Sequence, residues 1–547
     1  MPNRNLFALI WSTETIPQQF KDANIIPIYK NTGQRSSCDN YRGISLLSVA
    51  GKILARIVLR RIIDNISDEV LSESQCGFRS GRSTIDMIFS ARQIQEKCRE
   101  QGQPLFMIFI DLTKAFDTVN REGLWRLLKI FGCHDKIINI VRQLHDGMTG
   151  GVNIGGATSD RFFVRNGLKQ GCVLAATLFA LFYAAVLNEA LKDCPDGIFI
   201  RFRTGKLFKL SRLRSASKVM ETVIQELLYA DDCALVANSE NALQGIATKF
   251  AASAKRFGLR VNLAKTEVMY QPPDGQAHLN PTIMIEGTTL KSVKQFTYLG
   301  STLSTDATID IEVNNRINKA SAAFGRLSTR VWNQHDLRLQ TKINVYNAVV
   351  LSALLYGSET WTCYRRHIRL LESFHMRRLR AIVGIRWQDL ISNVKVLEMT
   401  QSTSIQCWII RAQLRWVGHV IRLPSGRLPQ QILYSELSHG KRARGAPKKR
   451  FKDNLKANLK ACNIDPDRLE EITCDRSLWR RSIRSGVTLY EEERVRTLEH
   501  NRQQKKSGVI NRPINNIACA QCGRACFSRI GLWSHMRSKH PTHTSNT

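Results

Sequence analysis

The stretch Leu227-Leu228-Tyr229-Ala230-Asp231-Asp232-Cys233-Ala234-Leu235-Val236 decides how this chain is read. Two apolar runs flank a tight Ala-Asp-Asp step, the pattern of a β-hairpin with adjacent carboxylates at its turn. Adjacent anions repel each other, so a hairpin tip that bears them needs cations nearby. Upstream, Leu105-Phe106-Met107-Ile108-Phe109-Ile110 is an unbroken apolar run, read as a buried strand, and Asp111 stands at its end. Two carboxylates on a hairpin and one at a strand terminus can chelate a pair of Mg²⁺ ions for in-line attack on a phosphate. A lone Asp-Asp is more often an ordinary surface turn, since aspartate favours turns anyway. The surrounding blocks decide between the two.

Working outward, Phe109-Ile110-Asp111-Leu112-Thr113-Lys114-Ala115-Phe116-Asp117 resembles the first catalytic motif of reverse transcriptases. Asn166-Gly167-Leu168-Lys169-Gln170-Gly171-Cys172-Val173-Leu174 resembles the second and Tyr229-Ala230-Asp231-Asp232 the third. Phe257-Gly258-Leu259 through Asn262, Lys265 and Thr266 resembles the fourth, and Tyr298-Leu299-Gly300 the primer-grip turn after it. Ile26-Pro27-Ile28-Tyr29-Lys30, Asn40-Tyr41-Arg42-Gly43-Ile44-Ser45-Leu46 and Gln75-Cys76-Gly77-Phe78-Arg79 are similar to the fingers blocks of non-LTR (LINE-like) retrotransposon enzymes. The ordered blocks run over about residues 10 to 300. The sequence departs from the family at Ala175-Ala176 and Gly43, where proline is common. Relatives usually carry an endonuclease domain ahead of the polymerase, and the sequence is read as lacking one.

The resemblance implies an α+β right-hand polymerase, with fingers and palm in 1–300, a helical thumb in 301–385, a basic linker in 386–512 and a small ββα zinc finger in 513–547. It implies an RNA template, a DNA primer and deoxynucleoside triphosphates as partners. Asp111 and Asp231 are expected to hold two Mg²⁺ ions with help from the Leu112 carbonyl, and Asp232 to support the hairpin and its charge. Phe116, five residues after Asp111, resembles the steric gate against a 2′-hydroxyl. Lys30 and Arg42 are candidate triphosphate contacts, Gln170 belongs to the nucleotide pocket, and Asp117 is expected to start a helix.

Composition agrees. A chain of 547 residues with 43% hydrophobic content can bury a large core over two or three domains. A formal charge of +34 favours a polyanionic partner, and nucleic acid leads. No apolar stretch is long enough to span a bilayer, and Leu6 to Trp11 does not read as a signal peptide. Most of the 14 cysteines (Cys98, Cys133, Cys172 and Cys407 among them) sit singly in apolar blocks and read as reduced thiols of a nuclear or cytoplasmic protein.

Helical spacing marks Val49 to Ile66, Ile85 to Cys98 and most of Ile309 to Ile385. Ile198 to Ser217 is basic without helical amphipathicity, and reads as an insertion loop or ribbon. Gln406 to Arg422 interleaves Trp408 and Trp416 with Arg411, Arg415 and Arg422. That pattern suits base stacking or, equally, core tryptophans beneath a solvated arginine face. Lys441 to Arg450, broken by Gly445 and Pro447, reads as a flexible RNA-binding or nuclear-import segment. Cys519-x₂-Cys522-x₁₂-His535-x₄-His540 has Cys₂His₂ ligand spacing for one structural Zn²⁺, with Cys526 and His543 as spare ligands. Two other classes fit parts of these features: a catalytically inactive retroelement-derived nucleic-acid-binding protein, and a zinc-finger regulator on a large scaffold.

Overall fold

The computed structural model describes residues 2–31, 33–67, 70–215, 217–442, 445, 447–507, 517–526 and 528–540, in two units, 1–484 and 485–547. At the centre of the first lies a five-stranded sheet. Its order is Lys291–Ser292, Glu267–Gln271, Leu105–Ile110, Asp232–Ala237, Glu226–Tyr229. The middle strand is antiparallel to both neighbours. Its apolar run is unbroken because both faces are covered. Phe106, Ile108 and Ile110 join one core cluster with the helices Ala175–Leu191 and Glu240–Arg256, while Leu105, Met107 and Phe109 join another with the helix Thr84–Glu100. Side chains on a strand alternate faces, so six apolar residues in a row serve two cores.

Beside this palm, Tyr41–Leu46 pairs antiparallel with Ala23–Tyr29, which runs parallel to Thr149–Ile154. The next helix, Val49–Ile62, starts where the Ser48 side chain accepts from the Gly51 N–H. Between fingers and palm sequence lies Thr84–Glu100, opened by a capping box of Ser83 and Asp86. Every residue from 86 to 99 in it is buried, including Arg92, Gln95, Glu96, Lys97 and Arg99. Their polar ends are satisfied from far along the chain. Arg92 donates to Thr302 O, Gln95 to Ser304 O, Lys97 to Ser435 O and Arg99 to Ala307 O. Glu96 accepts from Thr362 and from the Phe451 N–H. An unpaired buried charge would be costly, so these bonds tie the hairpin of Gln295–Tyr298 and Ser301–Ser304, and later helices, to one helix.

Downstream, Asp310–Arg326, Arg365–Val383 and Ile405–Ile421 pack around one cluster that includes Trp332, Tyr346, Trp361 and Phe374, so the stretch expected to be a helical thumb shares its core with a later helix. Residues 386–484 differ from the expected basic linker. They form the helices Asn393–Met399, Ile405–Ile421, Leu428–Tyr434, Phe451–Ala461 and Leu469–Cys474 within the first unit. Leu428, Ile432 and Leu437 enter the palm core, and Ser435–Leu437 pairs with Ile198–Phe202. Ile198–Phe202 in turn pairs with Met220–Ile224, so part of the expected basic insertion is a β-ribbon. Trp416 is buried with its ring edge-on to Phe89 at 5.6 Å, which is core packing and leaves no face for a base. In the Lys441–Arg450 segment, Arg442 and Arg450 both reach Glu100, at 3.1 and 3.0 Å. Residues 443, 444 and 446 lie outside the described residues. All 14 cysteines are free thiols; burial pushes that of Cys98 up to about 12. Among the described residues no helix is long and apolar enough to cross a membrane.

In the second unit, Ile517–Ala518 and Ala525–Cys526 form a two-stranded ribbon, followed by the helix Arg529–Lys539. Ser528 caps that helix by accepting from the Gly531 N–H.

Candidate active site

Register brings the carboxylates together. Cys233 pairs with Ile110 and Ala234 with Phe109 in antiparallel sense, so the next step along the ladder sets Asp232 opposite Asp111. Tyr229 pairs with Asp232, leaving Ala230 and Asp231 as a two-residue turn, and Ala230 takes φ +61°. An L-residue rarely adopts that conformation unless its surroundings hold it.

Gln75 holds it. This side chain is buried; its Oε1 accepts from the Ala230 N–H at 2.9 Å and its Nε2 donates to Ala230 O at 3.2 Å. The same Oε1 accepts from the Gly77 N–H at 2.9 Å. Gly77 is pressed against the turn so closely that a Cβ there would lie 2.1 Å from Ala230 N. Sequence reading placed Gln75 and Gly77 only in a fingers block and missed this contact. Nothing local signals it, because the partner lies about 150 residues away.

Asp111 is braced from the loop after the Glu240–Arg256 helix. Asn262 Nδ2 donates to Asp111 Oδ2 at 3.0 Å, and Lys265 Nζ stands 4.0 Å from the same oxygen. The Asp111 N–H reaches Thr266 Oγ1 at 3.3 Å, and Asp111 O accepts from the Asn262 N–H at 2.8 Å. All three polar residues quoted from the fourth block thus converge on Asp111, Asn262 and Lys265 at its carboxylate and Thr266 at its backbone N–H.

Solvent reaches Asp231 and Asp232, but the cleft around them is poorly solvating. Partial desolvation raises both carboxyls, Asp232 up to about 6; Asp231 and Asp111 push Asp232 further, and Arg42 opposes the rise in each. Arg42 therefore lies within electrostatic reach of the pair. Three carboxylates gathered side by side, the Asp231 and Asp232 carboxyls both raised, are a donor set suited to divalent cations.

The other candidates are less tightly gathered. Lys30 is exposed past the end of its strand and donates to Asp39 O at 2.8 Å. Phe116 is half-buried, stacked on Phe179 with centroids 4.7 Å apart. Gln170 is half-buried and fixed to the fingers through its carbonyl, which accepts from the Ser45 N–H at 2.8 Å. The second block docks on the first: the Gly167 N–H donates to Val119 O and the Leu168 N–H to Phe116 O. Asp117 does not start a helix. It lies in a turn, raised by burial, and the helix Arg121–Ile130 begins later with Asn120 as its cap. In the hairpin of Gln295–Tyr298 and Ser301–Ser304, whose turn resembles a primer grip in sequence, both turn residues are left-handed, Leu299 at φ +48° and Gly300 at φ +80°, as suits a tight two-residue turn.

The family profile described as reverse transcriptase (RNA-dependent DNA polymerase) matches residues 28–303, half of the chain. The chain belongs to the reverse transcriptase family. It is 24% identical over 405 residues to the RNA-directed DNA polymerase from mobile element jockey of Drosophila melanogaster, covering 72% of this chain and 41% of the relative. It is 26% identical over 389 residues to the probable RNA-directed DNA polymerase from transposon BS of the same species, covering 69% and 40%. The chain thus spans about two-fifths of the length of these curated relatives. A telomerase from Candida tropicalis, solved with a telomeric RNA fragment, superposes with a TM-score of 0.35 at 13% identity, covering 78% of this chain and 67% of that one.

In the second unit, ligand atoms of Cys519, Cys522, His535 and His540 all lie within 4.8 Å of one another. Cys522 Sγ is 3.1 Å from His535 Nε2. The ribbon turn lowers the Cys519 thiol by aiming the N–H groups of Gln521 and Cys522 at it. Two thiols and two imidazoles gathered so closely fit a tetrahedral metal. His543, named as a spare ligand, lies outside the described residues.

Proposed function

We propose that this protein is an RNA-directed DNA polymerase of a non-LTR retrotransposon, extending a DNA primer on an RNA template with deoxynucleoside triphosphates. The observation that carries this reading is the register that sets Asp111 beside Asp231 and Asp232 at the open end of the palm sheet. Two Mg²⁺ ions held by Asp111 and Asp231, with the Leu112 carbonyl, would lower the pKa of the primer 3′-hydroxyl and neutralise the triphosphate and leaving pyrophosphate.

The chain's own groups do the positioning. Asn262 and Thr266 fix Asp111, while Gln75 and Gly77 fix the turn that carries Asp231. Asp232 keeps the negative charge of the hairpin high. Arg42 and Lys30 attract the triphosphate, Gln170 lines the nucleotide pocket, and Phe116 blocks a 2′-hydroxyl by bulk. Phe116 suits that role because Phe179 supports one face of its ring. Cys519, Cys522, His535 and His540 would hold one structural Zn²⁺, whose binding drives folding of the small module.

The test is extension of a DNA primer on an RNA template with Mg²⁺. The polymerase reading expects elongation that stops on chelation. Nucleic-acid binding without elongation under any divalent ion would favour the inactive, binding-only reading instead.

A further inference from the structure

Several buried or half-buried arginines of the first unit are neutralised by carboxylates. Arg316 pairs with Glu312 at 2.8 Å, Arg450 with Glu100 and Asp453, and Arg427 with Glu73 and Asp86. Arg422 is different. It ends the Ile405–Ile421 helix, half-buried; its Nη1 donates to Thr473 O at 2.8 Å and its Nε has no partner. Its strongest charged neighbours are two more cations, Arg476 and Arg480, which lower its pKa beyond the effect of burial. His419, one turn of helix from Arg415 and three residues before Arg422, is held down chiefly by burial; the Asp86 carboxylate opposes this, and Arg422, Arg427 and Arg476 add to it.

Packing forces this crowding. Gly418 leaves room for Trp479, and a Cβ at 418 would lie 2.0 Å from Trp479 Nε1. That nitrogen donates to Leu414 O at 3.1 Å, and the ring is buried. The Ile405–Ile421 helix and the helix that begins at Arg476 are thereby locked together at one crossing. Arg422 lies one turn beyond Gly418, and Arg476 and Arg480 flank Trp479 on exposed positions. Asp475, next to Arg476 in sequence, is engaged as a helix cap, accepting from the N–H groups of Ser477 and Leu478. Among the described residues no carboxylate forms an ion pair with Arg422, Arg476 or Arg480. Guanidinium groups without a counter-charge, Arg422 among them held by Thr473 O, match phosphate oxygens, which accept from their planar forks.

We propose that Arg422, Arg476 and Arg480 form a docking site for the phosphodiester backbone of a nucleic acid, separate from the catalytic carboxylates. The inference rests on the polymerase reading only in that the protein handles nucleic acid. It requires no catalysis.

The test uses the full chain carrying Asp231→Asn, so binding is read without extension. Affinity for a structured RNA and for duplex DNA is measured against salt, before and after Arg422→Gln, Arg476→Gln and Arg480→Gln together. Each lost phosphate contact flattens the slope of log K by roughly 0.7 to 0.9, so the triple variant should lose about 2 to 3 in slope, or on the order of a hundredfold at about 0.1 M salt. A deficit with RNA alone assigns the site to RNA, and one with both to phosphodiester backbones in general. The matching triple lysine variant keeps the charges and should restore the slope. With Asp231 intact, the triple glutamine variant should extend a saturating primer–template within about twofold of wild type, since the reacting groups are untouched. Unchanged affinity and slope in the glutamine variant would overturn the proposal. So would an equal loss in the lysine variant, which would make the effect one of packing. Collapse of extension at saturation would place these arginines in the catalytic cleft and overturn their separateness.

Discussion

Gly77→Ala should slow the chemistry without weakening the grip on nucleic acid. The added Cβ would meet backbone on every side: Ala230 N at 2.1 Å, Ala230 Cα at 2.8 Å and the Tyr229 carbonyl carbon at 2.9 Å. No side chain is there to swing away, so the hairpin turn or the Gln75–Gly77 segment must retreat by about an ångström to reach ordinary contact. Retreat pulls Ala230 off Gln75 and moves Asp231 with it. Overpacking of this kind costs about 1–3 kcal/mol of stability. A reacting group misplaced by about 1 Å costs on the order of a hundredfold in rate, near 3 kcal/mol of barrier. Single-turnover extension and thermal melting of the variant read both quantities. The control is Gly245→Ala, in the middle of the Glu240–Arg256 helix with nothing within 4 Å, which should leave kcat unchanged and stabilise the fold by up to about 1 kcal/mol. A folded Gly77→Ala protein with kcat within a few-fold of wild type would refute the argument that this close approach sets the position of Asp231.

Phe116→Ala should raise the ribonucleotide-to-deoxynucleotide ratio of kcat/KM by at least about tenfold; an unchanged ratio places sugar selection elsewhere. Asp232 has a raised folded-state pKa, so its proton stabilises the fold when bound: metal-free protein should lose stability as pH rises from 3.8 to about 6, and Asp232→Asn should flatten that slope in melts taken across this window. At neutral pH, Mg²⁺ should raise the melting temperature of wild type more than that of Asp231→Asn, because the ion binds only where the carboxylates are assembled. Cys522→Ser should abolish Zn²⁺ binding by the tail, weaken nucleic-acid binding with a shallower salt slope, and leave extension of a pre-annealed primer near normal; a zinc assay with a salt titration checks it.

What was legible in the sequence was local. The hairpin at Tyr229–Asp232 is marked by the two apolar runs that flank its turn and by turn chemistry, and Leu105–Ile110 by its unbroken apolar run. The Cys519 to His540 spacing was equally open to reading, since metal ligands on a ribbon and a helix are set by near neighbours. What stayed hidden depends on partners far along the chain. Spacing marks a helix at Ile85 to Cys98 but not its burial, and the lysine, arginines and glutamate of Thr84–Glu100 are buried where residues from 301 to 451 satisfy them. The basic residues of 386–484 read as a solvated linker for the same reason in reverse: Arg427, Arg442 and Arg450 answer acids at Glu73, Asp86 and Glu100. Charge density alone cannot tell a solvated cation from one whose carboxylate lies hundreds of residues upstream. The Gln75 contact to Ala230 was invisible likewise, because a glutamine in a loop carries no signal of the turn it holds.

The central claim is that Asp111, Asp231 and Asp232, gathered by strand register, carry nucleotidyl transfer. The most direct measurement is the single-turnover rate of DNA-primer extension on an RNA template in Mg²⁺ for wild type against Asp231→Asn, a change that keeps shape and hydrogen bonding and removes one charge. The account predicts a loss of at least roughly a thousandfold, about 4 kcal/mol of transition-state stabilisation, with primer–template affinity largely kept. A folded Asp231→Asn protein that extends within tenfold of wild type would contradict it.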